Sequence, residues 1–490
     1  MIYLGIKLSS DLHEMTTLNF DPLLQKTKTN LGKWGKLNLT LWGKVNVVKM
    51  VIAPQFNYVS MMLPLSIPDH IFKQYDNLIK DFLWAGRKPR FKLSKLYAPK
   101  DKGGLGLPDV RLYSWSFEMV KIAKHWSGTE SGLEWAAIEK ALAEPFQPIT
   151  VISQQSTDKE RDKNPIIKHS REVWAKVHKI HKVSHYKQQY ASLWLNSEVK
   201  IGKQTVFWRR WLDKGIHTIS NLYKDGVFKS FTELAQEYNL QDKGDFWKYL
   251  QIRHCLTKKC QPNETGNPVT DYLQNPLNHK ASVFYSNSMY LSSSTCDNLR
   301  IIWQRDLDCQ IDNDTWKQIL TDNGRYIKET RGKFTQYKIL HRYYWTPCRL
   351  FKIGLISTNT CWKCKKEMGT FVHLIWECSM VNPFWRRVLD FLEAWVGLSL
   401  PFSPRLCLLG DKTEIPQLTK SAHSVLMVGI ASAARIILRY WKAPTLPTFN
   451  EWKALMSETA SYEVMLARIR GRGPVVLGNW DYFMEYLTSN

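Results

Sequence analysis

The chain has 490 residues, well beyond the ~100–200 of one ordinary domain, so about three domains are expected. It is 44% hydrophobic and 23% charged, with 25 Gly and 21 Pro, which excludes wholesale disorder and collagen-like structure. Lys+Arg outnumber Asp+Glu by 68 to 44, a net charge of +24, and 13% of residues are aromatic; excess cations beside flat rings suit a polyanion with stackable bases better than a membrane surface.

Residues 1–8 alternate like a strand, expected to pair with something outside the chain or with a later segment. Residues 20–125 read as helical, punctuated by Pro54, Pro64 and Pro68. The clearest helix covers 67–84. Ser66 is placed to cap it, Asp69 sits at its third position, and Ile71, Phe72, Tyr75, Leu78, Ile79, Phe82 and Leu83 share one face. Gly86 stops it. Residues 84–102 then carry seven basic residues and one acidic one, ahead of the glycine turn Lys102-Gly-Gly-Leu-Gly-Leu-Pro-Asp109.

Residues 126–190 are the weakest globular stretch, with 154–164 polar enough to be a linker. Residues 168–187 place His169, His178, His181 and His185 among lysines, with Glu172 the only carboxylate; a solvated basic helix is favoured there over a metal site. Over 191–260 the expected core is Trp194, Phe207, Trp208, Trp211, Phe228, Phe231, Phe246 and Trp247, with turns at Lys224-Asp-Gly226 and Asp242-Lys-Gly244. Residues 261–295, rich in Asn, Ser, Thr and Pro, read as a second linker. A helix over 425–441 stops before Pro444. The longest apolar run, 424–434, ends at Arg435 and falls short of the ~20 residues that span a bilayer, and no signal peptide is readable. Nine cysteines, an odd count, point to reduced thiols and an intracellular chain.

Two features carry chemistry. Cys361-Trp-Lys-Cys364 is followed by His373 and Cys378. Two thiols on a tight turn plus a later His and Cys can close a tetrahedron around Zn²⁺, and with all four positions filled the site is structural. Lys363, Lys365 and Lys366 are expected to favour the thiolates. The competing reading is a set of small buried residues on an apolar helix, since Phe371, Leu374 and Ile375 flank His373. Second, residues 325–366 hold eleven basic residues, one acid (Glu329) and eight interleaved rings. Cations contact phosphates while rings stack on unpaired bases; the competing reading is a solvated helical face with its rings turned inward. The 84–102 run is read in the same way on weaker grounds. Catalytic constellations are missing from the sequence. There is no Asp-Asp pair, no Walker loop, no G-x-S-x-G and no H-E-x-x-H. Asp306 and Asp308 read as exposed, and Cys255 and Cys260 with His254 as incidental.

Taken in order, these segments resemble the C-terminal part of the polyprotein of LINE-type non-LTR retrotransposons. Tyr3-Leu-Gly-Ile6 resembles the strand leaving the polymerase palm. Gly43-Lys-Val-Asn-Val-Val-Lys-Met50 and Phe82-Leu-Trp84 resemble the thumb, and Lys102-Gly-Gly-Leu-Gly-Leu-Pro-Asp109 a signature after it. Ile201-Gly-Lys203 with Phe207, Trp208 and Trp211 resembles the region beyond the thumb. Gln336-Tyr-Lys-Ile-Leu-His-Arg-Tyr343 with Cys361, Cys364, His373 and Cys378 resembles the cysteine-rich end, and Ala433-Ala434-Arg435 leading to Trp441-Lys442 the closing helix.

The resemblance implies a mainly α chain. It would comprise a residual palm edge strand (1–19), a helical thumb-like domain (20–125), a basic linker or helical region (126–190), a mixed α/β middle region (191–295) and a helical C-terminal domain with a small zinc-knuckle-like element (296–490). The implied function is to grip template RNA and primer–template duplex. Lys44, Lys49, Arg87, Lys88, Arg90 and Lys92 would contact the duplex backbone. Lys338, Arg342, Tyr343, Tyr344, Trp345, Arg349 and Lys352 would form the single-strand surface. The implied partners are RNA, RNA/DNA duplex and the other polypeptides of the element, in a cytoplasmic ribonucleoprotein or the nucleus, without a membrane. In the family the palm supplies an aromatic-Ala-Asp-Asp motif for catalytic Mg²⁺. Nothing here matches it, so no catalytic residue carries over, and a truncated copy or fragment is expected. The family activity is RNA-directed DNA polymerase; the competing readings are an active enzyme of that kind and a zinc-stabilised protein-interaction module.

Overall fold

Apolar residues recur along most of the chain at three- and four-residue spacing, and helix dominates as that spacing dictates. The computed structural model describes residues 1–126, 133–154, 164–184, 190–259, 268–275, 279–293, 296–471 and 473–489. Among the described residues, strand is confined to three antiparallel hairpins: Ile2–Tyr3 with Ile6–Lys7, Lys200–Ile201 with Gln204–Thr205, and Tyr223–Lys224 with Val227–Phe228. The first hairpin corrects the expectation of a lone edge strand. Leu4 and Gly5, at φ 48° and 78°, turn the chain so that Tyr3 pairs with Ile6.

The chain divides into two compact units. The first comprises Met1–Leu37, Val47–Ala98 and Gly106–Ser294. Its helix Asp69–Trp84 buries Ile71, Phe72, Tyr75, Ile79, Phe82, Leu83 and Trp84. The Phe56 ring sits 5.2 Å from Phe20 and 5.0 Å from Tyr75, knitting three helices together. Pro68, not Ser66, occupies the cap position; the Ser66 hydroxyl instead donates to Glu172 Oε2 at 2.8 Å and lies 3.1 Å from His169 Nδ1. The helix Pro165–His181 is therefore not a solvated basic helix. It turns Ile167, His169, Val173, Trp174, Val177 and His178 inward, and His178 Nδ1 is 2.8 Å from the Trp174 carbonyl. His185, most of the 154–164 linker and Cys260 lie outside the described residues.

Two further expectations in this unit are corrected. Within 261–295, the helices Pro268–Gln274 and Ala281–Ser292 belong to the fold. Phe284, Ser288 and Met289 are buried, and the Tyr285 ring stacks on Tyr113 with centroids 3.7 Å apart. Small polar residues between the apolar ones hid that stripe. Of the expected aromatic core, Trp194 and Trp211 are fully buried, but Phe207, Phe246 and Trp247 are 42%, 42% and 68% exposed. Asp242-Lys-Gly244 runs into the helix Lys243–Lys259 rather than forming a separate turn.

The second unit comprises Asn38–Asn46, Pro99–Leu105 and Thr295–Asn490. Its central helix, Lys420–Arg439, packs against Asn382–Val396, Phe449–Ile469 and Thr330–Leu340. A Cβ at Gly429 would lie 2.6 Å from Leu392 Cδ2, so glycine allows this close crossing. By length and composition the helix could cross a membrane, but 67% of its apolar window is buried among its neighbours, as expected of a core helix. Thr419 caps its start, accepting from the Ala422 amide at 3.2 Å.

Candidate metal centre and basic surface

The metal-ligating residues come from two local structures in the second unit. Residues 361–364 form a tight turn, closed by a 3.1 Å hydrogen bond from the Lys365 amide to the Cys361 carbonyl. His373 and Cys378 bracket the wide helical turn His373–Glu377, where the Cys378 amide donates to the His373 carbonyl at 2.9 Å. Together they bring Cys361, Cys364, His373 and Cys378 to one point, with all four ligand atoms within 4.8 Å of one another.

The distances fit a tetrahedron. Zn–S bonds of ~2.3 Å and Zn–N of ~2.0–2.1 Å imply edges of about 3.8 Å between sulfurs and about 3.5 Å between sulfur and nitrogen. Cys361 and Cys378 Sγ are 3.8 Å apart, and Cys364 Sγ is 3.4 Å from His373 Nε2. A disulfide would need ~2.05 Å. Glu367 Oε2 lies 3.0 Å from His373 Nδ1, which fixes the ring and leaves Nε2 for an ion. Nothing in the sequence marks Glu367 for that role. The cluster can hold a metal such as zinc.

Backbone amides, rather than lysines, supply the local positive field. The Lys363 amide donates to Cys361 Sγ at 3.4 Å. Burial pushes the Cys364 thiol pKa up, but the amides of Glu367 and Lys366, the His373 ring and the Cys361 thiol outweigh it and hold Cys364 at about 6. Burial pushes Cys378 up to about 11, and the adjacent thiols add to it. The Lys363 ammonium is spent elsewhere. It donates to the carbonyls of Tyr440, Ala443 and Thr445 at 3.0, 3.3 and 3.3 Å, just past the end of Lys420–Arg439. Lys365 and Lys366 are exposed.

The expected single-strand residues divide into two groups. Arg342 and Tyr344 face inward, a correction to their reading as nucleic-acid contacts. Arg342 Nη2 pairs with Asp306 Oδ2 at 2.5 Å, and its guanidinium covers Trp303 and Phe371 at 5.0 and 5.3 Å. Asp306, expected to be exposed, is thereby only 20% exposed. Tyr344 packs 5.3 Å from Trp441, with the Lys338 ammonium 4.8 Å above its ring. Lys338 and Tyr343 are half-buried. The second group faces solvent. Trp345 and Phe351 are 56% and 46% exposed, and Arg349 and Lys352 stand beside them in the chain, also exposed. Arg349 Nη1 donates to the Arg342 carbonyl at 2.9 Å, which anchors it.

The expected backbone contacts are placed as follows. Arg87, Lys88, Arg90 and Lys92 are exposed in the first unit, between Asp69–Trp84 and Leu93–Tyr97. Lys49, in the same unit, puts its ammonium 3.4 Å from where a Gly106 Cβ would stand. Lys44, in the second unit, is half-buried, and burial lowers its pKa. Among the described residues, no other group of three or more ligating side chains converges as the Cys361 cluster does. No family model matches the chain.

Proposed function

We propose that the chain is a nucleic-acid-binding region of the LINE-type reverse-transcriptase kind. In this reading it grips template RNA and primer–template duplex, is stabilised by a structural zinc ion, and carries no catalytic carboxylates of its own. The observation that carries the reading is the exposed pairing of Trp345 and Phe351 with Arg349 and Lys352, in the unit that holds the Cys₃His cluster. Rings at that exposure offer stacking faces to unpaired bases, and the neighbouring cations neutralise phosphates. The ordered likeness of the separated motifs to that family supports it further.

In this account zinc, held by Cys361, Cys364, His373 and Cys378, ties the 361–364 turn to the helical turn after it. Lys363 then fastens the turn to the carbonyls past the central helix. The single-strand surface at 345–352 is rigid because its backbone is fastened too: Trp441 Nε1 donates to the Trp345 carbonyl at 2.6 Å. Arg87, Lys88, Arg90 and Lys92 act as duplex backbone contacts. Mg²⁺ belongs to a polymerase palm and has no role in these residues.

A second reading rests on Ile353, Leu355 and Met368, exposed by 54%, 67% and 61%. Apolar groups this exposed also suit a protein-docking face, as in a zinc-stabilised interaction module. Binding of single-stranded RNA by the wild type and by Cys361→Ser separates the two. The nucleic-acid reading predicts weaker RNA binding by the variant. Unchanged RNA affinity alongside loss of a protein contact favours the module.

A further inference from the structure

We propose that Trp42, Lys100 and Lys333 form a seat for one or two backbone phosphates of a bound nucleic acid. This rests on the nucleic-acid reading above and adds to it a contact point that neither basic run predicts alone.

Three segments far apart in sequence meet there, all within the second unit: Asn38–Asn46, Pro99–Leu105 and the helix Thr330–Leu340. The Lys100 ammonium lies 5.5 Å and the Lys333 ammonium 5.9 Å from the centroid of the Trp42 indole. One ring face or edge thus gathers two like charges. A ring quadrupole attracts a cation, but it does not neutralise two. Among the described residues, neither ammonium forms an ion pair or donates a hydrogen bond to protein. The nearest acid in the helix, Glu329, is already paired with Arg435. Asp101, beside Lys100 in the chain, is half-buried. Burial first, then Lys100 and Lys328, push the Lys333 pKa down, as expected where positive charge is not compensated.

A phosphodiester relieves that repulsion by accepting from both ammonium groups at once, and the indole offers a flat wall for an adjacent sugar or base. Inorganic phosphate shares the same chemistry, so the test separates the two sources.

The measurement is single-stranded RNA binding by the full chain across a salt series, for wild type, Lys100→Ala, Lys100→Ala/Lys333→Ala and Lys100→Arg/Lys333→Arg. Melting curves confirm that each variant is folded; Lys100 is exposed, so its single variant reads the site even if the double one melts early. The seat predicts that the slope of log K against log salt shallows by about 0.7 per lysine removed, and that the arginine pair restores it. A steep wild-type slope retained in the alanine variants overturns the seat and leaves the nucleic-acid reading standing. A flat wild-type response overturns both. If inorganic phosphate alone raises the melting temperature of the wild type but not of the double variant, while the RNA slopes agree, the site takes free anions and the backbone claim fails.

Discussion

His341 Nε2 donates to the carbonyl of Gly103 at 2.9 Å, across 238 positions of sequence. The Tyr337 hydroxyl donates to the same oxygen at 3.2 Å. The glycine turn and the 336–343 stretch, two separate segments in the sequence, therefore share one carbonyl. Gly103 sits at φ 76°, and a Cβ there would come 2.7 Å from Cys296 Sγ. Gly103→Ala is expected to cost on the order of 2–4 kcal/mol, from left-handed backbone strain plus that clash. Gly86→Ala, at φ 72° with nothing within 4 Å of a Cβ, carries the strain alone and costs roughly 1–2 kcal/mol. Urea midpoints of the two variants check the difference, and equal losses would show that the Cys296 contact does not matter.

The metal centre predicts one zinc per purified chain, none in Cys364→Ala, and a lower melting temperature for both the variant and the chelated wild type. A structural site contributes its binding energy to folding. Elemental analysis with thermal melting is the check. Equal metal content in wild type and variant removes the site.

Trp345 and Tyr344 are adjacent but face opposite ways, so their alanine variants should fail differently. Trp345→Ala loses an exposed ring and keeps the backbone carbonyl that binds Trp441. Its RNA affinity should fall by about 1–3 kcal/mol, the worth of one stacked base, with little change in melting. Tyr344→Ala opens a space beside Phe371 and Trp441 and should cost about 2–4 kcal/mol of stability. Matched binding and melting curves distinguish the two, and an unchanged affinity in Trp345→Ala would move the single-strand surface elsewhere.

Acid should destabilise the first unit through His181. Burial pushes its pKa down to about 4 from the ordinary 6.5, and its Nε2 lies 3.0 Å from Ser288 Oγ. The unfolded chain takes up a proton near pH 6.5 that the folded chain refuses until about pH 4. Stability is full above that window and falls as pH drops through it, by about 3 kcal/mol in all. Burial lowers His169 and His217 in the same direction, so the wild-type slope is a sum. Urea unfolding between pH 7 and pH 4 should show a shallower loss for His181→Gln. Identical pH profiles would mean that His181 is solvated.

Much of this architecture was legible in the residues. The stripe from Ile71 to Leu83 has helical spacing and packs as a helix, and the spacing of Cys361, Cys364, His373 and Cys378 matches a convergence to within 4.8 Å. What escaped depends on which way a side chain points. Counting charges across 325–366 cannot tell Arg342, locked on Asp306, from Lys352, which faces solvent. Polar composition concealed the helix Ala281–Ser292, because its buried stripe includes Ser288 beside Phe284 and Met289. The meeting of Gly103 with His341, like that of Trp42 with Lys100 and Lys333, is set by tertiary packing and leaves no local trace in the sequence.

The most direct test of the central claim is the salt dependence of single-stranded RNA binding by the zinc-loaded chain. The account predicts a log–log slope steepening by about 0.7 for each phosphate contacted, and so a value near −2 or beyond if Arg349, Lys352 and one lysine of the Trp42 seat all engage. A flat response to salt, with RNA bound or not, would contradict it.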